Sequence, residues 1–389
     1  MNSLVLLTAD EQQLRLQRLR TLMADAKTDA ILITDNANTY YLTGRVFSGY
    51  IYIPVEGKVR YMVRRPVELE GDGVEYIRKP EDIIEKLDTP PSRLGLELDL
   101  TPYSLAMRIV KTFPGHTTVN ISPLMRVARS VKTAQEQEKM RMSGVKHEHV
   151  YRMVPHLYTE GMTDLELQVE IERLSRLEGC LGQFRISGDS MELYMGNLLA
   201  GDNADNPTPY DFAMGGAGID PSLPVGADGS VIRPGNSVMV DMNGNFTGYM
   251  TDMTRTFALG EISAEARKAH QLSIDICREV SRHAVPGTEA KALYELAEKM
   301  VAEAGMERYF MGHRQKAGFI GHGVGIEVNE LPVVAPRSKD IIAEGNAIAI
   351  EPKFVIPGTG AVGIENTYLV GAGGATSITN APQEIVSLD

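Results

Sequence analysis

Residues 238–257 read VMVDMNGNFTGYMTDMTRTF and contain two apolar, strand-like runs that each carry one aspartate. Asp241 directly follows the first run, and Asp252 lies in the second. The midpoint between the two aspartates falls between Phe246 and Thr247, so a hairpin that turns there places their carboxylates across from each other. The sequence therefore predicts a pair of facing carboxylates on neighbouring strands.

Three more candidate ligands lie downstream, namely His322 in GHGVG, Glu351 in AIAIEPKF and Glu365 in VGIENTYL. The two glutamates lie symmetrically about Pro357-Gly358-Thr359-Gly360, which is a strong turn signal. Asp241 and both glutamates directly follow apolar strand residues, where burying an unpaired carboxylate costs several kcal/mol. We therefore expect a cationic group to compensate them.

Four carboxylates and one imidazole form a hard, oxygen-rich ligand set that suits two divalent ions such as Mn, Fe, Co or Zn. Carboxylates can bridge two ions about 3.5–4 Å apart, and such a pair can bind and deprotonate a nucleophilic water. Each residue alone also fits a structural interpretation, because strand Asp and Glu residues commonly lie at the surface or in salt bridges. The Gly-His-Gly segment could likewise be a turn. The five positions together favour a dinuclear metal site.

These five residues and their neighbours resemble the pita-bread metallopeptidases, which include methionine aminopeptidase, aminopeptidase P, prolidase and the non-peptidase creatinase. In that family the second Asp lies eleven residues after the first, ahead of a Thr-Arg-Thr-like run, and the two Glu residues stand in Ile-Glu-Pro and Ile-Glu-Asp-like settings. The resemblance implies that Asp252 and Glu365 bridge two metal ions and that Asp241 chelates one of them. It also implies that His322 and Glu351 bind the other ion, and that Glu351 is the general base for the bridging water.

The N-terminal part looks like the creatinase-type domain of aminopeptidase P and prolidase, which methionine aminopeptidase lacks. The segments that carry this likeness are NANTYYLTG (36–44), LGLELDLTP (94–102) and VARSVKTAQEQE (127–138). Together the two likenesses cover nearly the whole chain.

Periodicity predicts two domains, 1–130 and 131–389. Helical and strand-like runs alternate through about the first 125 residues, which is typical of an α/β layered domain. The second part contains strands, then amphipathic helices at 262–284 and 288–304, then strands again. This order predicts an α+β fold, and the resemblance implies a pita-bread domain whose curved antiparallel sheet is covered by helices.

The composition is that of an ordinary globular protein, with 389 residues, 43% apolar and 23% charged. The net charge of −12 divides into +2 for residues 1–134 and −14 for residues 135–389. Without a basic stripe interleaved with aromatics, we expect neither a nucleic acid nor an anionic membrane as a partner. No apolar run approaches about 20 residues and no signal-peptide pattern is present, so we expect a cytoplasmic protein. Cys180 and Cys277 lie far apart, which excludes a disulfide framework and a thiolate zinc site.

Four substrate-side positions depart from the family pattern. Peptidases of this family usually place one His seventeen residues before the first Asp and another seven after the metal-binding His, where this chain has Pro224 and Asn329. Proline-specific members also tend to carry a His and an Arg where this chain has Gly318 and Gly363. Losing one oxyanion donor typically costs ~10²–10³ in rate. Asn329 can still donate through its amide and is a candidate catalytic residue.

Other residues could replace the missing groups. His313 in MGHR and Tyr194 are candidates, although each also fits a structural or surface role. The loop 205–229 would lie by the pocket mouth, with Gly215-Gly216 and Pro221 shaping substrate access, or would be a surface excursion.

The sequence thus predicts a dinuclear metal-dependent hydrolase of amide or peptide C–N bonds, like an Xaa-Pro dipeptidase or aminopeptidase but with possible redirection of specificity. Its substrate would be a peptide or small amide, and its cofactors two ions of Mn, Co, Zn or Fe. The alternatives are a creatinase-like small-molecule amidohydrolase or lyase, and a non-catalytic binding descendant of the fold. The resemblance also implies a homodimer, for which the helix with Met140, Met142 and Met153 could supply interface or core.

Overall fold

The computed structural model describes residues 2–188, 191 and 194–389, which form two compact units divided between Arg129 and Ser130. The predicted boundary between residues 130 and 131 lies beside this division and, as a domain boundary, stays a prediction.

The described residues form the following α-helices and β-strands. The helices are α1 (Ala9–Asp25), α2 (Asn36–Thr43), α3 (Tyr103–Thr112), α4 (Ser122–Ser130), α5 (Ala134–Leu157), α6 (Asp164–Leu177), α7 (Ala264–His283) and α8 (Ala290–Ala304). Strands of the first unit are β1 (Ala30–Ile33), β2 (Ser48–Pro54), β3 (Arg60–Arg65), β4 (Val74–Tyr76), β5 (Arg93–Leu96) and β6 (Thr117–Asn120). Those of the second are β7 (Gly196–Ala200), β8 (Ser237–Asn245), β9 (Met250–Ala258), β10 (Gly321–Gly323), β11 (Glu330–Val334), β12 (Ala347–Ile350), β13 (Lys353–Ile356), β14 (Gly360–Gly363), β15 (Asn366–Gly371), β16 (Gly374–Ser377) and β17 (Val386–Ser387). None of the helices described here combines the length and apolar character that crossing a bilayer requires.

The first unit is built on one mixed sheet with the strand order β4-β3-β2-β1-β5-β6. The hairpin β2–β3 and the pair β1–β2 are antiparallel, whereas β5 is parallel to both β1 and β6. Apolar residues of this sheet pack with Ile109 of α3 and with Phe113, which directly follows that helix. The predicted α/β layering is confirmed, although α2 and α4 were not expected as separate helices.

The second unit contains a four-stranded sheet, β17-β9-β8-β7, a five-stranded sheet, β11-β10-β12-β15-β16, and the pair β13-β14. The packing of β7, β8 and β9 with α5 and α6 buries Val150, Leu167 and Val240 in one core. A second core buries Ile276 of α7 and Leu293 of α8 with residues of the five-stranded sheet. The predicted order of strands, paired helices and strands is confirmed.

The sequence pattern predicts a single strand over residues 347–355 and a loop over residues 181–230, and the structure differs at both places. The apolar run 347–355 is divided into β12 and β13 because Pro352 has no N–H to continue the ladder. The predicted loop 181–230 contains β7, whose five residues carry too little periodicity to identify a strand. The sequence offers Thr163 or Asp164 as the cap of α6; Thr163 caps the helix, and Asp164 accepts hydrogen bonds from the backbone of Asp228 and Gly229.

His147 of α5 lies buried behind the hairpin formed by β8 and β9. Its Nδ1 is 3.0 Å from Thr251 Oγ1, and its ring packs edge-on against Tyr151. Burial, assisted by the positive charge of Arg255, lowers the pKa of His147 to about 3. The folded protein therefore holds this imidazole neutral under mildly acidic conditions.

The buried imidazole predicts a pH-dependent loss of stability. Its unfolded pKa is ~6.5, so below that pH the unfolded chain binds a proton that the folded chain does not, and stability falls as pH falls from ~6.5 towards 3. Between pH 7 and pH 5 this one group should remove about 2 kcal/mol from the free energy of unfolding. Chemical denaturation at pH 7 and at pH 5 measures this change, and the free energy of unfolding of His147→Gln should fall by about 2 kcal/mol less than that of the wild type.

The exposed His283 supplies the control, because His283→Gln should retain the wild-type pH dependence. Equal pH dependence of stability in His147→Gln and the wild type would contradict the lowered pKa of His147.

Candidate metal centre

The hairpin of β8 and β9 presents the two predicted aspartates. Asp241 lies opposite Thr254, and Asp252 lies opposite Asn243, so the aspartates are offset by two residues. The prediction that they oppose each other directly was wrong, because the centre of the turn lies one residue later than expected, between Thr247 and Gly248. The turn is centred later because Gly248, with φ of 83°, supplies its left-handed position.

Glu351 and Glu365 face each other directly, as the turn at 357–360 predicts. The pair Ile350–Asn366 precedes the two glutamates on the ladder and the pair Lys353–Gly363 follows them. Both pairs have the same register, and that register places Glu351 opposite Glu365. Glu365 also forms backbone hydrogen bonds with Thr254, which connects this pair of strands to β9.

His322 on β10 completes the group of five. Its Nε2 is 3.2 Å from Glu351 Oε1 and 3.9 Å from Asp252 Oδ2. The five residues form two sets of candidate ligands, and within each set the ligand atoms all lie within 4.8 Å of one another. One set is Asp252, His322 and Glu365, and the other is Asp241, Glu351 and Glu365. All five predicted ligands are thus brought together, with Glu365 common to both sets.

Lys353 is a member of the site that sequence reasoning missed. Its side chain is completely buried, and its Nζ donates to Asp241 Oδ2 and Glu351 Oε2 at 2.7 Å each, and to Glu365 Oε2 at 3.3 Å. A signal was present, because Lys353 is two residues beyond Glu351 and strand residues two apart point to the same face. Part of the positive charge that the carboxylates require therefore belongs to the chain itself.

Two carboxylate oxygens at the centre remain unsatisfied. Asp252 Oδ1 and Glu365 Oε1 are buried and accept no hydrogen bond from the described residues. Leaving a buried acceptor without a partner costs about 1–3 kcal/mol, and more for a charged group. Both residues belong to the set that includes the imidazole of His322. Oxygen and imidazole donors suit a divalent ion, so this set fits the metal that the sequence predicts.

The electrostatics of Asp252 and Glu365 also fit a cation. Burial and the charge of Asp241 raise the pKa of Asp252 to about 8. Burial and the charge of Asp252 raise the pKa of Glu365 well above its ordinary value. A metal ion requires ionised carboxylates, so its binding here would release protons.

Glu351 and His322 behave as an ion pair. Burial disfavours the charge of Glu351, but Lys353 and His322 outweigh this effect and lower its pKa to about 2. Burial also disfavours the imidazolium, but the hydrogen bond and charge of Glu351 raise the pKa of His322 to about 9. Burial opposes the charge of Lys353 as well, yet its carboxylate partners raise its pKa well above the ordinary value. Glu351 is therefore ionised in this arrangement.

Arg255 holds the backbone that presents Glu365. This buried guanidinium donates to the carbonyl oxygens of Glu365 at 2.8 Å, Thr254 at 2.7 Å and Ala381 at 2.9 Å, and to Asn366 Oδ1 at 2.7 Å. The neighbouring Thr254 Oγ1 donates to Glu365 Oε2 at 2.7 Å. Arg255 and Thr254 thus restrict both the main chain and the carboxylate of Glu365.

A cavity of about 80 Å³ opens onto the five candidate ligands. Residues 211–214 form part of its wall, which supports the interpretation of the loop 205–229 as part of the pocket. Asn197 and Asn243 also line it, and neither was predicted as a site residue.

Asn329 lines the cavity, but its amide is already engaged. Its Oδ1 accepts from Ser187 N at 2.8 Å, and its Nδ2 donates to Ser187 O. One Nδ2 hydrogen remains available for another acceptor, because the amide carries two. Its predicted catalytic role stays a prediction.

Other residues considered from sequence lie elsewhere. His313 Nδ1 is 2.9 Å from Asp205 Oδ2, and Tyr194 is 46% exposed; neither is among the described residues that line the cavity. The carbonyl of Pro224 accepts from Thr208 Oγ1, and Pro224 is likewise outside that described lining. Gly318 is exposed.

Gly363 is enclosed, and its φ is 141°. A Cβ atom there would lie 2.8 Å from the Pro352 carbonyl oxygen, so a side chain at this position would be strained. Proline-specific family members tend to carry the cation Arg at the position of Gly363. In this chain the cationic side chain of the strand pair is that of Lys353, which lies directly opposite Gly363.

This fold and ligand set define a metal-dependent peptidase of the pita-bread class. Residues 138–372 match the family model of metallopeptidase family M24, and residues 15–131 match the Creatinase/Prolidase N-terminal domain. The chain therefore belongs to metallopeptidase family M24, which confirms the predicted fold class and enzyme class.

Relatives of known sequence and structure agree with this assignment. The chain is 26% identical over 387 residues to the "Uncharacterized peptidase YqhT" of Bacillus subtilis, covering 96% of this chain and 100% of that one. It is 26% identical over 336 residues to an Xaa-Pro dipeptidase of Pyrococcus horikoshii, covering 85% and 86%. The structure of an Xaa-Pro dipeptidase from Bacillus anthracis superposes with a TM-score of 0.82 at 22% identity, covering 97% and 99%, which shows the shared fold. These comparisons favour the peptidase over the creatinase-like and non-catalytic alternatives.

The support of Glu365 by Thr254 predicts a measurable effect on metal affinity. Thr254→Val keeps the shape of the side chain and removes the hydrogen bond to Glu365 Oε2, so Mn²⁺ should bind roughly 10-fold more weakly. Calorimetric titration of the metal-stripped protein measures the change.

Thr256→Val is the matched control, because Thr256 is equally buried on β9 but bonds only to the backbone of Gly363 among the contacts described. An equal loss of affinity in both variants would attribute the effect to general destabilisation.

Proposed function

We propose that this chain is an Xaa-Pro dipeptidase that requires a divalent metal. The observation that carries the proposal is the convergence of four carboxylates and His322 on one cavity within an M24 fold. The names of its relatives support the substrate class, because the similar proteins from Pyrococcus horikoshii and Pyrococcus furiosus are Xaa-Pro dipeptidases.

Asp252, His322 and Glu365 would hold a divalent ion of Mn, Co, Zn or Fe. Their unsatisfied buried oxygens and their imidazole support this position. A bound ion would supply Lewis acidity and activate water for attack on the scissile amide. The predicted second ion would require Asp241, Glu351 and Glu365, whose oxygens Lys353 contacts. The count of two ions stays a prediction.

Glu351 acts as the general base in this proposal. It is ionised, it borders the cavity, and its Oε1 lies next to His322, so it can accept a proton from a water in the cavity. The ammonium of Lys353 holds Oε2 and thereby orients Oε1. The proton would then pass to the leaving nitrogen.

The cavity wall supplies the contacts for the substrate. Phe212 and Phe319 line it and offer apolar surface to a proline ring. Asn329 has one amide hydrogen available to stabilise the oxyanion that develops on the scissile carbonyl. Because Asn329 and Pro224 stand at positions where the family pattern has His, the preferred Xaa-Pro sequence would differ from that of the pattern's typical members.

We also propose a cytoplasmic homodimer. Met142 and Val145 lie three residues apart on α5 and are 54% and 70% exposed, so they offer apolar surface to a partner chain. Light scattering at micromolar concentration should give about twice the chain mass of 42.6 kDa. A mass near one chain would contradict dimerisation.

The proposed base predicts a specific loss of activity. The wild type loaded with Mn²⁺ or Co²⁺ should hydrolyse Xaa-Pro dipeptides, and Glu351→Gln should lower kcat by roughly 10²–10⁴ because an amide cannot accept the proton. The variant should retain its bound metal, since Asp252, His322 and Glu365 are unchanged.

The same substitution at Glu303, which lies on α8 and is 66% exposed, should leave kcat unchanged. Comparable kcat in Glu351→Gln and the wild type would place the base elsewhere. No hydrolysis of Xaa-Pro dipeptides by the metal-loaded wild type would contradict the proposed substrate class.

A further inference from the structure

Lys353 lies where one of the two predicted ions would have to bind. Its Nζ is within hydrogen-bond distance of Asp241, Glu351 and Glu365, which together make up one of the two sets of candidate ligands. The ammonium therefore contacts every member of that set.

An ion and the ammonium would exclude each other there. Metal–carboxylate oxygen distances are about 2.0–2.2 Å, and the Nζ is 2.7 Å from Asp241 Oδ2 and from Glu351 Oε2. A divalent ion bound to these oxygens would lie against the ammonium. Like charges in a water-poor interior repel strongly, so the two cations cannot share this position.

The backbone keeps Lys353 directed at the site. β13 pairs with β14 in a fixed register, with Lys353 opposite Gly363. The carbonyl of Lys353 also accepts from Met311 N at 2.8 Å, which holds the other edge of the strand. The side chain is 0% exposed, so displacing the ammonium would leave a buried cation without its three carboxylates.

The other set remains open to an ion. Asp252 Oδ1 and Glu365 Oε1 are the buried carboxylate oxygens of the site that lack a partner among the described residues, and both belong to the set with His322. The ammonium of Lys353 contacts neither atom at hydrogen-bond distance; it reaches Glu365 through Oε2. The set with Asp241 thus already contacts a cation of the chain, whereas the set with His322 has buried carboxylate oxygens without a partner among the described residues.

We propose that Lys353 is a built-in cation that replaces one of the two metal ions, so that each chain binds a single divalent ion at Asp252, His322 and Glu365. This inference rests on the proposed metal-dependent function. Asp241 then serves as a partner of Lys353 rather than as a metal ligand. Lys353 is a positioning residue, since it acts by fixing Glu351.

Metal counting tests the proposal directly. The purified full-length chain is stripped with chelator, equilibrated with excess Mn²⁺, desalted and analysed for Mn per chain. The wild type should hold one ion. Lys353→Ala removes the charge and opens space beside three carboxylates, so it should hold two. Lys353→Arg, which retains a cation, should hold one.

Electron paramagnetic resonance supplies a second readout that needs no variant. A single Mn²⁺ per chain gives the spectrum of an isolated ion, whereas two ions sharing Glu365 give a spin-coupled pair. Two ions per chain or a coupled pair in the wild type would overturn the proposal. So would a folded Lys353→Ala that still holds one ion.

Assaying the same samples with an Xaa-Pro dipeptide separates this inference from the proposed function. One ion per chain without hydrolysis would leave the role of Lys353 intact and contradict the substrate class. Two ions per chain with hydrolysis would support the substrate class and contradict the proposed role of Lys353. A wild type that binds no divalent ion would contradict both the inference and the metal requirement.

Discussion

Four carboxylates meet in the interior of the second unit, and the structure depends on how their charge is neutralised. Asp252, Glu351 and Glu365 are each less than 5% exposed. Ionised groups in such surroundings cost several kcal/mol each unless they are paired. Lys353 supplies one cation through three contacts, whereas burial raises the pKa of Asp252 and of Glu365, whose Oδ1 and Oε1 atoms have no hydrogen-bond partner among the described residues. A metal ion bound there, as we propose, would complete the neutralisation.

The strands place these charges by register. Glu351 and Glu365 oppose each other because the ladders on both sides share one register, and Thr254 joins Glu365 to β9. Arg255 then ties the backbone of Glu365 to its neighbours by several hydrogen bonds. Pro352 ends one ladder between Glu351 and Lys353, yet both side chains still reach the same interior. Strands and the residues next to them thus hold the candidate ligands, whereas part of the cavity wall comes from the loop 205–229.

Much of this site could be predicted from the sequence, since carboxylates after apolar runs and the turn at 357–360 are local signals. The offset of Asp241 and Asp252 could not, because it depends on which residues of the turn adopt left-handed geometry, as Gly248 does. Lys353 was overlooked because a lysine is rarely buried and because one of its partners, Asp241, is 112 residues away in sequence. β7 is recognisable only through its pairing with β8, which sequence periodicity does not report.

A crystal structure of the Mn²⁺-loaded protein with anomalous scattering data tests most directly how the buried charge is neutralised. We expect one anomalous peak, bonded to Asp252, His322 and Glu365, with the Nζ of Lys353 still contacting Asp241 and Glu351. A second peak bonded to Asp241, with Lys353 turned out of the site, would contradict it.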